Sequence, residues 1–116
     1  MKLLLSTLAA ASMSAAVASW TAAAQGYDYV VEIDSLYHPD HLAIKIGDTV
    51  IWKNFDAIPH TVTTEPGPTS KQEYGKFDSG EIPSGSEFRY TFLRTGTYRY
   101  YCRIHPDIMG TVVVTQ

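Results

Sequence analysis

The stretch Ile44-Lys45-Ile46-Gly47-Asp48-Thr49-Val50-Ile51-Trp52-Lys53-Asn54 decides how the rest of the chain is read. Two β-rich runs flank Gly47-Asp48, and apolar side chains recur at every second position, Ile44 and Ile46 on one side, Val50 and Trp52 on the other. That period belongs to extended strands with one face toward a core, because successive side chains of a strand point to opposite sides. Gly followed by Asp between two such runs reads as a hairpin turn. Outward from here the rhythm continues through 27–33, 61–64, a short piece at 75–78, 87–92, 96–102 and 110–115. Pro66-Gly67-Pro68, Pro83-Ser84-Gly85-Ser86 and Arg94-Thr95-Gly96 punctuate it as loops and a tight connection. Helix-length runs of period 3.6 are absent beyond the first 24 residues. Seven to eight short strands predict an all-β domain, a Greek-key β-sandwich in which Val50 and Trp52, or Phe88, Tyr90 and Phe92, face a shared core.

The N-terminus reads differently. Lys2 precedes Leu3-Leu4-Leu5, and Ala, Ser and Thr dominate the positions up to Ala24. A positive start, an apolar stretch and small residues before the cut form the pattern of a secretory signal peptide. Ser6, Thr7, Ser12, Ser14 and Ser19 interrupt it too often for a membrane span, which needs about 20 predominantly apolar residues. Ala22-Ala23-Ala24 satisfies the small-x-small rule before Gln25, as does Ala16-Val17-Ala18 further upstream. The expectation is a cleaved leader over 1–24 and one domain over 25–116, exported to the periplasm and not inserted in the membrane after cleavage.

Loss of Lys2 with the leader takes the formal net charge from −3 to −4, and no Lys/Arg run appears anywhere. Nucleic acid and anionic membranes, which call for a concentrated basic patch, are therefore not expected partners. Cys102 is the single cysteine, so no internal disulfide can form. A lone thiol in an oxidising compartment is an inert buried residue, a liability, or a ligand protected by a metal.

Its neighbours favour the last. Cys102-Arg103-Ile104-His105-Pro106-Asp107-Ile108-Met109 spells Cys-x2-His-x3-Met directly after the strand that ends Tyr98-Arg99-Tyr100-Tyr101. Beyond the leader, the only Cys and the only Met thus fall within eight residues of each other, with a His between them. A further donor, His60, sits in Asn54-Phe55-Asp56-Ala57-Ile58-Pro59-His60-Thr61-Val62, where a sandwich can bring it to the same pole. Two imidazoles, a thiolate and a thioether form the donor set of a blue-copper electron-transfer site, whereas zinc more commonly recruits further Cys or His.

With Pro59-His60-Thr61-Val62, Phe77-Asp78-Ser79-Gly80 and Gly96-Thr97-Tyr98-Arg99-Tyr100-Tyr101-Cys102 following the opening stretch in order, the chain resembles a small cupredoxin of the plastocyanin, pseudoazurin and amicyanin group. The likeness covers nearly all of the domain beyond the leader. It implies a cupredoxin-like sandwich with one type 1 copper per chain, His60, Cys102 and His105 as strong equatorial ligands and Met109 as the long axial one. It also implies a monomeric periplasmic single-electron carrier, shuttling between redox proteins such as a c-type cytochrome or a periplasmic dehydrogenase or reductase. The loop His of such proteins reaches the surface through an apolar patch, for which Ile58, Pro59, Pro106 and Ile108 are the candidates here, rimmed by Asp56 and Asp107. Amicyanin-like loops place two residues between the loop His and Met, and plastocyanin-like loops four; this chain has three. Thr61 stands where these proteins often carry Asn, and its N–H is expected to donate to the Cys102 sulfur while its hydroxyl ties the two ligand loops together.

Other assignments are weaker. His38-Pro39-Asp40-His41 has the look of a second metal site, but a His pair on a polar edge ordinarily meets solvent. Nothing aligns an acid/base pair with Cys102 as a nucleophile, and no His-x-His pair supplies the extra ligands of multicopper oxidase or nitrite-reductase chemistry, so no enzyme is expected. The competitor from another class is a periplasmic copper-binding or copper-delivery protein on the same fold. The complete four-donor set favours retention of the metal over handover.

Overall fold

The computed structural model describes residues 26–65 and 76–116; the expected leader at 1–24 and the loop at 66–68 lie outside the described residues. Eight strands form: β1 (Asp28–Asp34), β2 (Leu36–His38), β3 (His41–Lys45), β4 (Thr49–Asn54), β5 (Thr63–Thr64), β6 (Glu87–Thr91), β7 (Gly96–Tyr101) and β8 (Met109–Thr115). They make two four-stranded sheets, β2-β1-β4-β6 and β3-β8-β7-β5. The expected all-β sandwich is what the chain adopts, with no helix among the described residues.

The opening stretch behaves differently in one respect. Gly47-Asp48 does not close a hairpin: β3 pairs in parallel with β8, while β4 pairs in parallel with β1 and antiparallel with β6. The turn therefore carries the chain from one sheet to the other. Gly47 adopts a φ of 95°, which an L side chain rarely takes. Asp48 is buried, and its carboxylate accepts the backbone N–H groups of Tyr27 at 2.8 Å and Lys45 at 2.9 Å. These bonds fix the corner. Alternation told which side chains face inward, but it carries no information about which strand lies next door.

The inward faces meet as expected. Val31, Ile33, Val50 and Trp52 from one sheet pack against Ile44, Tyr100, Val112 and Val114 from the other, with Phe92 and Phe77 beside them. Each such side chain contributes roughly 1.5–3 kcal/mol through removal from water. Trp52 is fully buried and its ring meets Tyr100 edge-on at 5.4 Å. Phe88 and Tyr90 are only partly buried and pack at the margin of this core.

Strand β2 is an addition to the sequence reading. Ser35 turns the chain with a φ of 68°, and Leu36–His38 folds back antiparallel on β1, burying Tyr37. A single apolar-facing residue among Ser35, His38, Pro39 and Asp40 leaves no periodic trace. Conversely, the expected strand at 61–64 shortens to Thr63–Thr64, and of the piece expected at 75–78 the described residues 76–78 form a bridge between Thr63 and Asp78 and no strand. The side chains of these two segments bond to each other and to the neighbouring loop, in the region where β4 ends and the β7–β8 turn begins.

Candidate metal centre

The loop after β4 is fastened by a buried amide. Asn54 Nδ2 donates to the carbonyls of Ile58 and Ile82, both at 2.9 Å, and Asn54 Oδ1 accepts the Asp56 N–H at 2.9 Å. His60 then exchanges backbone hydrogen bonds with Ile82 and is 1% exposed. Asp56, four residues earlier, lies with Oδ2 2.9 Å from His60 Nε2. A carboxylate accepts, so Nε2 carries the proton and Nδ1 keeps its lone pair for a metal. The His60 contact and the Ala57 N–H hold the Asp56 carboxyl below the usual carboxylate range.

Thr61 does both things expected of it. Its N–H donates to Cys102 Sγ at 3.2 Å, and its hydroxyl oxygen accepts the Arg103 N–H at 2.8 Å. The chain of bonds continues beyond that. Thr61 and Thr63 hydroxyls are 3.0 Å apart, and Thr63 donates to Asp78 at 3.1 Å. Asp78 in turn meets the Arg103 guanidinium at 3.2 Å. With Thr63 committed as donor to the carboxylate, all the hydroxyls point one way, and three loops close into one ring around the ligand turn. Tyr37 supports it from below, its hydroxyl donating to the Thr61 carbonyl at 2.6 Å. Asp78 sits below its usual range, chiefly through the Gly80 N–H and, against some desolvation, through Arg103 and Thr63.

Cys102 lies just past β7, fully buried. Its N–H donates to the Ile108 carbonyl at 3.1 Å, and the Ile108 N–H donates to the His105 carbonyl at 2.9 Å, so the ligand loop is closed by its own backbone. Cys102 Sγ is 3.7 Å from His60 Nδ1 and 3.9 Å from His105 Nδ1. Ligand atoms about 2.0–2.3 Å from one ion in a trigonal arrangement lie roughly 3.7 Å apart, so these spacings fit a single metal between them. The three ligand atoms lie within 4.8 Å of one another, and this is the only such group among the described residues. Burial opposes ionisation of the Cys102 thiol, yet the Thr61 N–H and the two imidazoles outweigh it and bring the thiol down to about 6. A thiolate flanked by two imidazoles is a donor set that suits copper.

The remaining sequence candidates fall elsewhere. Met109 opens β8 opposite Tyr101 and is 53% exposed. It lines a surface hollow with Leu36, His38, Asp40 and Asp107. Ile108, expected in the surface patch, turns inward and is 8% exposed, whereas Ile58, Pro59 and Pro106 are exposed, as is Ile104, the residue before the half-buried His105. His38 and His41 are exposed and belong to no ligand group among the described residues. Tyr37 and the Asp78–Arg103 pair were not legible in the sequence as parts of the site; Asp56 was, but only as a charged rim. Its spacing of four residues from His60 was the available signal.

Comparison with known proteins agrees with this geometry. Residues 20–115 match the family of copper binding proteins described as plastocyanin/azurin. An amicyanin of Paracoccus denitrificans is 35% identical over 86 residues, covering 73% of this chain and 63% of that protein's length. Among solved structures, a purple cupredoxin from Nitrosopumilus maritimus superposes with a TM-score of 0.64 at 31% identity, over 76% of this chain and all of that one. The fold also matches 22% of a larger copper-containing nitrite reductase from Thermus scotoductus, at 25% identity and a TM-score of 0.68 over 77% of this chain. With the family match running over most of the chain, and a buried cysteine between two imidazoles on a two-sheet sandwich, the chain belongs to the plastocyanin/azurin family of copper-binding proteins, and copper is its cofactor.

Proposed function

We propose that the protein is a single-electron carrier rather than an enzyme, with His60, Cys102 and His105 as its copper ligands. The observation that carries this reading is the convergence of two Nδ1 atoms on a fully buried Cys102 Sγ at 3.7 and 3.9 Å. Copper bound there supplies a one-electron couple between Cu(I) and Cu(II). The protein's part is to hold the three donors still while the charge changes, since movement of ligands adds to the barrier. Asn54, Asp56, the Thr61–Thr63–Asp78–Arg103 ring and the Tyr37 hydroxyl each remove a way for a ligand to shift. Burial of His60 and Cys102 leaves the half-buried His105 edge as the route to the surface, through the patch of Ile58, Pro59, Ile104 and Pro106.

The relatives called amicyanin and plastocyanin support a carrier working between redox proteins. A c-type cytochrome or a periplasmic dehydrogenase or reductase is the partner class proposed, and the periplasm the place, on the strength of the leader pattern over 1–24 and a domain over 25–116. Asp107 stands exposed beside His105 and gives the patch a negative neighbour, so a partner with a basic docking face is favoured through its on-rate. Electron-transfer rates should then fall as ionic strength rises; rates indifferent to salt would remove the charge from the account.

The deciding experiment is an optical and EPR spectrum of the copper-loaded protein with voltammetry. An intense thiolate-to-copper band and a reversible couple are expected. A colourless protein that retains no copper contradicts the proposal, and ready loss of Cu(I) to a competing partner would turn it toward copper delivery.

A further inference from the structure

The register of β7 and β8 separates the two residues at the end of the ligand loop. Tyr100 pairs with Gly110 and Tyr101 with Met109. One step further, the Cys102 N–H bonds to the Ile108 carbonyl. Opposed residues in an antiparallel ladder share a face, and faces alternate along each strand. Tyr100, 1% exposed, faces the core; Tyr101 and Met109 face away; Cys102 and Ile108 return to the core face, at 0% and 8% exposed. Ile108 belongs to the same buried cluster as Cys102, Tyr37 and Val62. Met109 instead opens on a surface hollow that contains none of the three convergent donors.

This arrangement is locked. Bringing Met109 to the Cys102 face requires a slip of one residue, which would exchange the faces of every β8 side chain. Gly110 opposes it: a Cβ built there would lie 2.4 Å from the Tyr100 ring, so any other residue opposite that buried tyrosine must push it aside. A slip would place Met109 or Thr111 against the ring and would expose Val112 and Val114, both buried.

We infer that this copper centre has only three protein ligands, His60, Cys102 and His105, that the Ile108 side chain walls the flank the sequence reading gave to Met109, and that Met109 is a surface residue. The inference rests on the copper reading above and refines it. A hydrocarbon wall donates nothing to the metal, and the strength of the donor on that flank tunes the potential of such a site. Removing the Met109 thioether therefore changes nothing at the metal, whereas supplying a donor at position 108 does.

The test compares copper-loaded wild type with Met109→Leu and Ile108→Met by optical and EPR spectra and by voltammetry. Met109→Leu, at an exposed position, is expected to keep the wild-type band, copper hyperfine splitting and midpoint potential. Ile108→Met is expected to alter the EPR spectrum and lower the midpoint. Should Ile108→Met not fold, X-ray absorption at the selenium edge of the copper-loaded, selenomethionine-labelled protein serves instead, with no copper neighbour expected around selenium. A copper neighbour at that edge, or a Met109→Leu protein with a shifted midpoint and changed hyperfine splitting, overturns the inference. Wild type that binds no copper or lacks the thiolate band overturns the copper reading itself, a result distinct from either.

Discussion

At the Asp56–His60 pair, one carboxylate oxygen 2.9 Å from Nε2 decides which imidazole nitrogen is free to bind metal. Removing such an outer partner typically lowers metal affinity 10–100-fold. Asp56→Ala should therefore lose copper to a chelator at about 10-fold lower chelator concentration or less, with the fold intact by circular dichroism; unchanged retention would mean that Asn54 and Ile82 suffice to orient His60. Cys102 offers a second measurement. Its thiol, ordinarily near 9, is brought to about 6 in the folded chain. Between those values the unfolded copper-free protein holds a proton that the folded one has lost, so stability rises with pH across this window. It is fully gained above about 9 and lost as pH falls through about 6. Urea denaturation of copper-free protein should thus show a rise from pH 6 to 9 that Cys102→Ser flattens; equal slopes for the two proteins would contradict a depressed thiol. The residue types of this site were legible in sequence because chemistry restricts which side chains can bind copper. Asp56 was read as a surface charge, since its distance to His60 Nε2 depends on how Asn54 folds the loop between them.

At the scale of the element, the β7–β8 pair carries the ligand loop, and Gly110 sets its register. Gly110→Ala should destabilise the copper-free protein by about 1–3 kcal/mol, the usual cost of overpacking, because its Cβ meets the buried Tyr100 ring. The check is the denaturation midpoint of Gly110→Ala against Thr111→Ala, an adjacent position without that contact; equal midpoints would show that Tyr100 can move aside. Strand boundaries were legible where alternation runs for five or more residues, as in β1, β3, β4, β6, β7 and β8. β2 and β5, of three and two residues, were not fixed by pattern: a strand that short is held by Tyr37 or by threonine hydroxyls reaching across to other segments. The same limit applied to Met109. Its donor chemistry was plain, but whether it faces the copper depends on a register that one residue inverts.

Across the whole molecule, the site joins parts that the backbone ladders leave separate. His60 follows β4 of the first sheet, and Cys102 and His105 follow β7 of the second. A metal bound by all three links the two sheets at one end and stabilises the folded state by mass action, by about 2.7 kcal/mol at free copper 100-fold above Kd. Calorimetry should show a higher Tm for the copper-loaded protein, rising with copper concentration and returned by a chelator to the copper-free value; a Tm indifferent to loading would mean that the three donors do not bind as a unit.

The sequence by itself determined the strand-rich class, most of the inward-facing residues, the donors His60, Cys102 and His105, and the Thr61 bond to sulfur. The class, the inward faces and the donors follow from local period and side-chain chemistry, and the Thr61 bond from the resemblance to cupredoxins; none of these needs knowledge of neighbouring strands. Only the tertiary structure decided that Gly47-Asp48 is a corner between sheets, that Asp56 orients His60, and that Ile108 rather than Met109 faces the core beside Cys102. Each of these depends on which segments lie side by side and in what register, and pairing across a sandwich is set by contacts between residues far apart in the chain.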